Sequence, residues 1–336
     1  MKLFFATIAI DPAYETPLDR FRELSRCDRF RQHAVVENAA DADLIFFVDA
    51  HQHPNDLLLK GLRSHPLMLR YRHKCLVYDE RDRTLGTVPG LYVSMPCSHF
   101  DARIHRACAY YTLSHQYEAL PPENADLLFS FLGGPSHPVR TRLSDLRHPR
   151  AVLELSSTNF FSDESNVDFQ RQKDVQRQRF NDLMLRSKFV LCPRGHGSSS
   201  IRLFETLACG RVPVIISDEW VAPPGADWES CSFRVRESEI DRLPQLLEAQ
   251  EPRFENMAQQ ARIAYEMWFA PQATFHRFAE MGSELLESGA TQHSAKRLSL
   301  RTQLRLLLEQ QVALRKYLGS ARGVLRRTMR STPKNK

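Results

Sequence analysis

The chain has 336 residues, 42% hydrophobic and 26% charged, with a formal net charge of +6. That is too apolar for a disordered chain, and the length suits about two domains of roughly 100–200 residues each. Between residues 296 and 336 there are 12 Lys and Arg against one acid, Glu309, so this segment carries +11 and the first 295 residues carry −5. A basic segment attached to a mildly acidic body argues against the body as a nucleic-acid surface. The longest apolar runs, such as 44–48, fall far short of the roughly 20 residues that span a bilayer. Seven cysteines, at 27, 75, 97, 108, 192, 209 and 231, form no CxxC pair. Reduced core thiols follow from that scatter, rather than a disulfide framework or structural zinc.

In chain order, residues 3–10 predict a buried first strand rather than a signal peptide. A single Lys precedes the run, and Asp11-Pro12 follows it without a small-residue cleavage site. Residues 18–32 and 55–63 predict helices, and 43–48, 75–78 and 91–95 predict strands. These strand runs are continuously apolar, as strands buried on both faces of a parallel sheet are. The pattern breaks at 121–124, which closes a first unit at 1–124. The second unit, 125–288, opens with a strand at 126–132 that ends in Gly133-Gly134-Pro135. Its clearest stretch is a strand at 188–191, a glycine-rich turn at 192–197, a helix at 198–209 and a β-branched strand at 211–216. Residues 258–285 read as helical. From 289 to 336, leucines recur at near-helical spacing among arginines, which makes a basic amphipathic tail.

A glycine-rich turn that opens a helix presents backbone N–H groups and a positive helix end to an anion. Gly195 and Gly197 let that backbone approach a phosphate, and Arg194 and Arg202 flank it with charge-assisted donors. Glu205 shares the helix face of Arg202 and suits a pair of ribose hydroxyls. The same residues also fit an ordinary turn in which Arg202 and Glu205 form a solvated ion pair. The motif is neither GxGxxG nor GxxxxGK[ST], which argues against a dehydrogenase or a P-loop ATPase.

The stretch SKFVLCPRGHGSSSIRLFETLACGRVPVIISDEW at 187–220 closely resembles the signature of the exostosin-like, GT47-type glycosyltransferases. The strand and glycine turn at 127–133 with Arg140, and Pro223-Pro224 with Asp227-Trp228, resemble the flanking segments of that family. The resemblance implies an α/β GT-B fold, two Rossmann-like domains facing a cleft, followed here by the basic helical tail. It implies an inverting glycosyltransferase that moves a sugar from a nucleotide-sugar donor, usually a UDP-sugar, to a glycan acceptor. Carried over by position, Arg194, Gly195, Ser199, Ser200 and Arg202 would hold the diphosphate and Glu205 the ribose. Gly133 and Arg140 would sit across the cleft from them, and Asp218 and Trp220 would border the sugar or base.

Inverting transfer needs a base on the acceptor side and positive groups on the departing diphosphate. Asp49 or His51, just past the strand ending at 48, is the first choice of base, and Asp79 in the cluster 79–82 is the second. No metal and no cofactor is expected. Asp41 and Asp43 precede their strand, as turn residues do, and His51 with His53 lacks a third ligand. Animal exostosins carry an N-terminal membrane anchor and a second catalytic domain, and neither is expected here. The expectation is a cytoplasmic, membrane-associated enzyme of cell-surface polysaccharide biosynthesis, at the inner face of the membrane and acting on a lipid-linked acceptor. Residues 296–330 would lie on the anionic leaflet or pair with a partner helix. The alternatives are a catalytically inactive nucleotide-sugar-binding protein, or nucleic-acid binding through the tail, which Tyr317 as its one aromatic disfavours.

Overall fold

A computed structural model describes residues 1–8, 17–49, 59–82, 84–111, 125–156 and 167–293. The first sheet holds β1 (Lys2–Thr7), β2 (Ala34–Val35), β3 (Leu44–Asp49), β4 (Cys75–Asp79), β5 (Gly90–Tyr92) and β6 (His105–Ala107). All its pairings are parallel, in the order β2-β1-β3-β4-β5-β6. The second sheet, also parallel, holds β7 (Leu127–Gly133), β8 (Ala151–Leu155), β9 (Ser187–Pro193), β10 (Val212–Ile216) and β11 (Phe233–Arg234), in the order β11-β10-β9-β7-β8. The helices of the first half are α1 (Pro17–Cys27), α2 (Lys60–Arg63) and α3 (Pro66–Tyr71). Those that follow are α4 (Pro138–Leu143), α5 (Val167–Arg186), α6 (Ile201–Ala208), α7 (Trp228–Cys231), α8 (Leu243–Gln250), α9 (Phe254–Ala264) and α10 (Pro271–Glu287).

The side chains of β3 show why an unbroken apolar run makes a parallel strand. Leu44, Phe46 and Val48 enter one core, while Ile45 and Phe47 enter another on the opposite face. Asp43 stands just before the strand, and its Oδ2 accepts the Lys2 backbone N–H at 2.7 Å, so the acidic pair at 41 and 43 belongs to a turn. The short strands β2, β6 and β11 carry too few apolar residues to be read from sequence, and only pairing with a buried neighbour makes them strands. All seven cysteines are free thiols.

The helix predicted over 258–285 is interrupted. After α9 the chain takes a π-helical turn at Tyr265–Phe269, Ala270 is extended, and Pro271 starts α10, where its missing N–H leaves no bond unmade. The break lets α10 return to the first sheet. Phe278 lies 4.1 Å from Phe46 and 4.6 Å from Phe21 between ring centroids, and Phe275, Phe278, Ala279 and Leu285 are fully buried. Each such aromatic contributes about 1.5–3 kcal/mol of burial. Gly282 permits the approach, since a Cβ there would stand 2.6 Å from Leu44 Cδ2 and 2.7 Å from Phe46 Cζ. The same core takes in Cys192, Leu203, Phe204, Ile215 and Trp220 from the second half, so residues 1–295 form one compact body. The tail at 296–336 lies outside the described residues.

At the edge of the second sheet, Glu251 accepts hydrogen bonds from Arg150 Nη1 and Nη2 at 2.6 and 2.7 Å and from Lys188 Nζ at 2.7 Å. The Arg150 bonds, with Lys188 behind them, hold the carboxyl down at about 2 against the opposing effect of burial. A depressed carboxyl stabilises the fold at pH above its ordinary value of 4.5, and that stabilisation is lost as pH falls towards 2. Thermal melts of Glu251→Gln are therefore expected to start lower than wild type at neutral pH and to fall less steeply between pH 5 and 2; parallel curves would refute the linkage.

Strand order reverses between β7 and β9, because the chain leaves β7 outward to β8 and returns on the other side. Doubly wound sheets bind ligands where neighbouring carboxyl ends diverge in this way. Here those ends are Gly133 and Pro193; in the first sheet they are Thr7 and Asp49.

Candidate functional site

The chain leaves β9 through residues 194–200 and enters α6 at the reversal point. Ser200 is the N-cap, with extended backbone and no side-chain cap. The helix starts three residues later than predicted, because 198–200 form its approach. From Arg202 to Ala208 every residue of α6 is buried. Two glycines admit guanidinium groups at the strand ends. A Cβ on Gly133 would stand 2.8 Å from Arg202 Nη2, and one on Gly195 would stand 3.0 Å from Arg140 Nη2.

Arg140, from α4, spans the reversal point. Its Nε donates to Arg194 O at 3.0 Å, Nη1 to Gly134 O and Nη2 to Pro193 O, both at 3.3 Å. Arg202, 8% exposed, donates from Nη2 to Leu132 O at 2.6 Å and lies 4.6 Å over the Phe131 ring and 5.2 Å over that of Phe180. Burial first, and the Arg202 charge second, push Arg140 down to about 10, while Asp82 opposes them. Arg140 stays positive at neutral pH. Two like charges held together away from water are relieved by an anion, and the fork of each guanidinium suits phosphate oxygens.

Gly133 and Arg140 thus do not stand across a cleft from residues 194–205, as the resemblance implies. They share one half with them, because β7 and β9 are hydrogen-bonded neighbours. Arg194 points its Nη1 to within 3.9 Å of Glu237 Oε1, and its buried Nε has no hydrogen-bond partner among the described residues. Glu205 is buried on α6 beside Arg202. The buried Ser199 hydroxyl lies next to that of Tyr110 but short of full hydrogen-bond geometry. Asp218 pairs with Glu237, its Oδ1 accepting the Glu237 N–H and its own N–H donating to Glu237 Oε1, each at 3.1 Å. Trp220 packs in the core, 5% exposed and edge-on to Trp228 at 5.1 Å, so it is not a sugar platform.

The first half meets this loop at Gly197, where a Cβ would stand 2.6 Å from Asp82 Oδ1 and 2.7 Å from Ser94 Oγ. Ser198 Oγ donates to Ser94 O at 3.0 Å, and Ser94 Oγ and Tyr110 OH are 3.0 Å apart. Burial pushes the Tyr110 phenol up, so it remains a donor. Asp79 does not serve as a base here. It is 4% exposed, with Oδ1 accepting Arg81 N–H and Nε at 3.0 Å each and Oδ2 accepting Arg81 Nη2 at 2.7 Å. Glu80 is bonded to the Tyr78 hydroxyl and the Tyr111 N–H. Asp82, exposed, is the member of that cluster that faces the loop. No spacing in the sequence pairs it with Gly197, 115 positions later; the contact is tertiary. Asp49 closes β3 at the reversal point of the first sheet, and its side chain and His51 lie outside the described residues. Among the described residues, no group of three His, Cys, Asp or Glu side chains is placed to hold a metal.

The second half is thus a doubly wound α/β sheet with two arginine guanidiniums gathered at its reversal point, the place where such sheets take their ligands. Residues 84–250 match the family described as the Exostosin GT47 domain, and the chain belongs to the exostosin-like GT47 family. It is 36% identical over 115 residues to the Exostosin-1 homolog of Caenorhabditis elegans, covering 31% of this chain and 30% of that protein. It is 29% identical over 141 residues to a probable glucuronosyltransferase, GUT1, of Oryza sativa subsp. japonica, covering 41% and 33%. The matched stretches span a third or less of the length of these relatives. A glycosyltransferase structure from Rickettsia africae aligns with 85% of this chain and 98% of its own, at 8% identity and a TM-score of 0.43.

Proposed function

We propose that the protein is a glycosyltransferase that takes a nucleotide-sugar donor at the reversal point of the second sheet. The observation that carries this reading is the pair of guanidiniums, a half-buried Arg140 and a buried Arg202, each held against a glycine at the mouth of α6 and close enough to feel the other's charge. That cradle fits the departing diphosphate of the donor. Membership of the exostosin GT47 family supports transfer as the reaction, and the glucuronosyltransferase relatives from rice and Arabidopsis thaliana support a hexosyl or glycuronosyl donor. UDP as the nucleotide, metal-free transfer with inversion and a cell-surface glycan as acceptor belong to the same reading. So does the division near residues 124 and 125, with α10 returning to the first half. The charge of 296–336, with its leucines, supports attachment to an anionic membrane surface.

Thermal melts in the presence of UDP, GDP and a panel of their sugars test the donor site. At a concentration of 100 Kd a ligand adds about 2.7 kcal/mol of stability, enough for a rise of several degrees. One nucleoside diphosphate and its sugars are expected to raise the midpoint; a flat response to the whole panel would overturn the reading.

A further inference from the structure

The proposed transfer leaves open which group accepts the proton of the attacking hydroxyl. In a displacement with inversion, the nucleophile and the leaving group lie on opposite sides of the anomeric carbon. The second half supplies the leaving-group cradle, so the proton acceptor belongs to the first half, at the carboxyl edge of its sheet and close to residues 194–200. Asp79 is closed off by Arg81, and Glu80 by Tyr78 and Tyr111.

We propose that Asp82 is that proton acceptor, an assignment that rests on the glycosyltransferase reading above. It lies three residues beyond the end of β4, with its Oδ1 against Gly197 at the entrance to the cradle and its side chain open to solvent, where an acceptor hydroxyl can reach it. Its charge is felt by both Arg140 and Tyr110, which places it beside the diphosphate cradle, and among the described residues no guanidinium is clamped on its oxygens as Arg81 is on those of Asp79. The step balances. The acceptor O–H proton passes to an Asp82 carboxylate oxygen, and the acceptor oxygen bonds to the anomeric carbon. The bond from that carbon to the diphosphate oxygen breaks, and its electron pair leaves on the nucleoside diphosphate, where Arg140, Arg202 and the α6 N-terminus receive the charge.

The test measures UDP and GDP affinity by calorimetry and release of the nucleoside diphosphate from the sugar panel, for wild type, Asp82→Asn, Asp82→Glu and Asp49→Asn. Asp82→Asn is expected to lose about 10²–10⁴-fold in turnover. Its nucleoside diphosphate affinity should be unchanged or slightly higher, because a negative charge beside the phosphates has gone. A merely structural role would lower both together. Asp82→Glu should retain more turnover than Asp82→Asn. Turnover of Asp82→Asn within fivefold of wild type, or an Asp49→Asn loss with Asp82→Asn intact, overturns the assignment and leaves the glycosyltransferase reading standing. A wild type that binds neither diphosphate and turns over no donor overturns both.

Discussion

Arg202→Ala is expected to weaken binding of the nucleoside diphosphate by about 10–100-fold, as charge-assisted bonds worth about 1.5–3 kcal/mol are lost. The size follows from where the guanidinium is held. It lies between the Phe131 and Phe180 rings with Nη2 already fixed on Leu132 O, so its orientation is set before a ligand arrives. Arg202→Lys keeps a charge but offers one compact ammonium in place of a planar fork, and cannot stack on Phe131 in the same way. It should recover only part of the loss. Calorimetry with UDP and GDP on both variants checks this, with the intact donor in parallel. A Kd unchanged in Arg202→Ala would show that the phosphates lie elsewhere and would reassign Arg202 to a structural tie between α6 and β7.

The second sheet was the more legible half of the sequence because its signals are local. Residues 187–216 place a strand, two glycines, a helix and a β-branched strand in one stretch, and each of those elements is present. The positions of Arg140 and Gly133 were only half legible. Their participation could be seen from the family resemblance, but their side of the site depended on β7 and β9 pairing directly, which is a fact of topology. Trp220 and Asp79 show the opposite limit. Asp79 ends β4 and Trp220 follows β10 by four residues, places where a polar or aromatic residue can serve chemistry, and each is taken by a neighbour instead: Arg81 in one case, Trp228 edge-on in the other. Asp82 carried no signal of its own, since its neighbour Gly197 is distant in the chain.

Gly90→Ala is expected to have the largest effect on stability, about 3 kcal/mol, read as a lower thermal midpoint. In the pairing of β4 with β5, Gly90 stands opposite Val77, and a Cβ on it would lie 2.2 Å from Val77 O and 2.8 Å from Val77 N. These are backbone atoms of a fully buried strand, so no side-chain rotation makes room. Relief requires β5 to move away from β4, against the Val77 N–H bond to Pro89 O at 3.1 Å. Gly134 is the control, since among the described residues a Cβ there meets only Ser156 O at 3.8 Å, and its alanine variant should stay within about 1 kcal/mol of wild type. The consequence reaches the site. The chain beyond β4 carries Asp82 and the chain beyond β5 carries Ser94, so a shift between these strands misplaces both against Gly197 and Ser198. Arg140 and Arg202 keep their partners in the second half. Folded Gly90→Ala should therefore bind the nucleoside diphosphate within a few-fold of wild type while losing transfer, and a variant that lost both in proportion would mean that the cradle depends on the first half for its own shape.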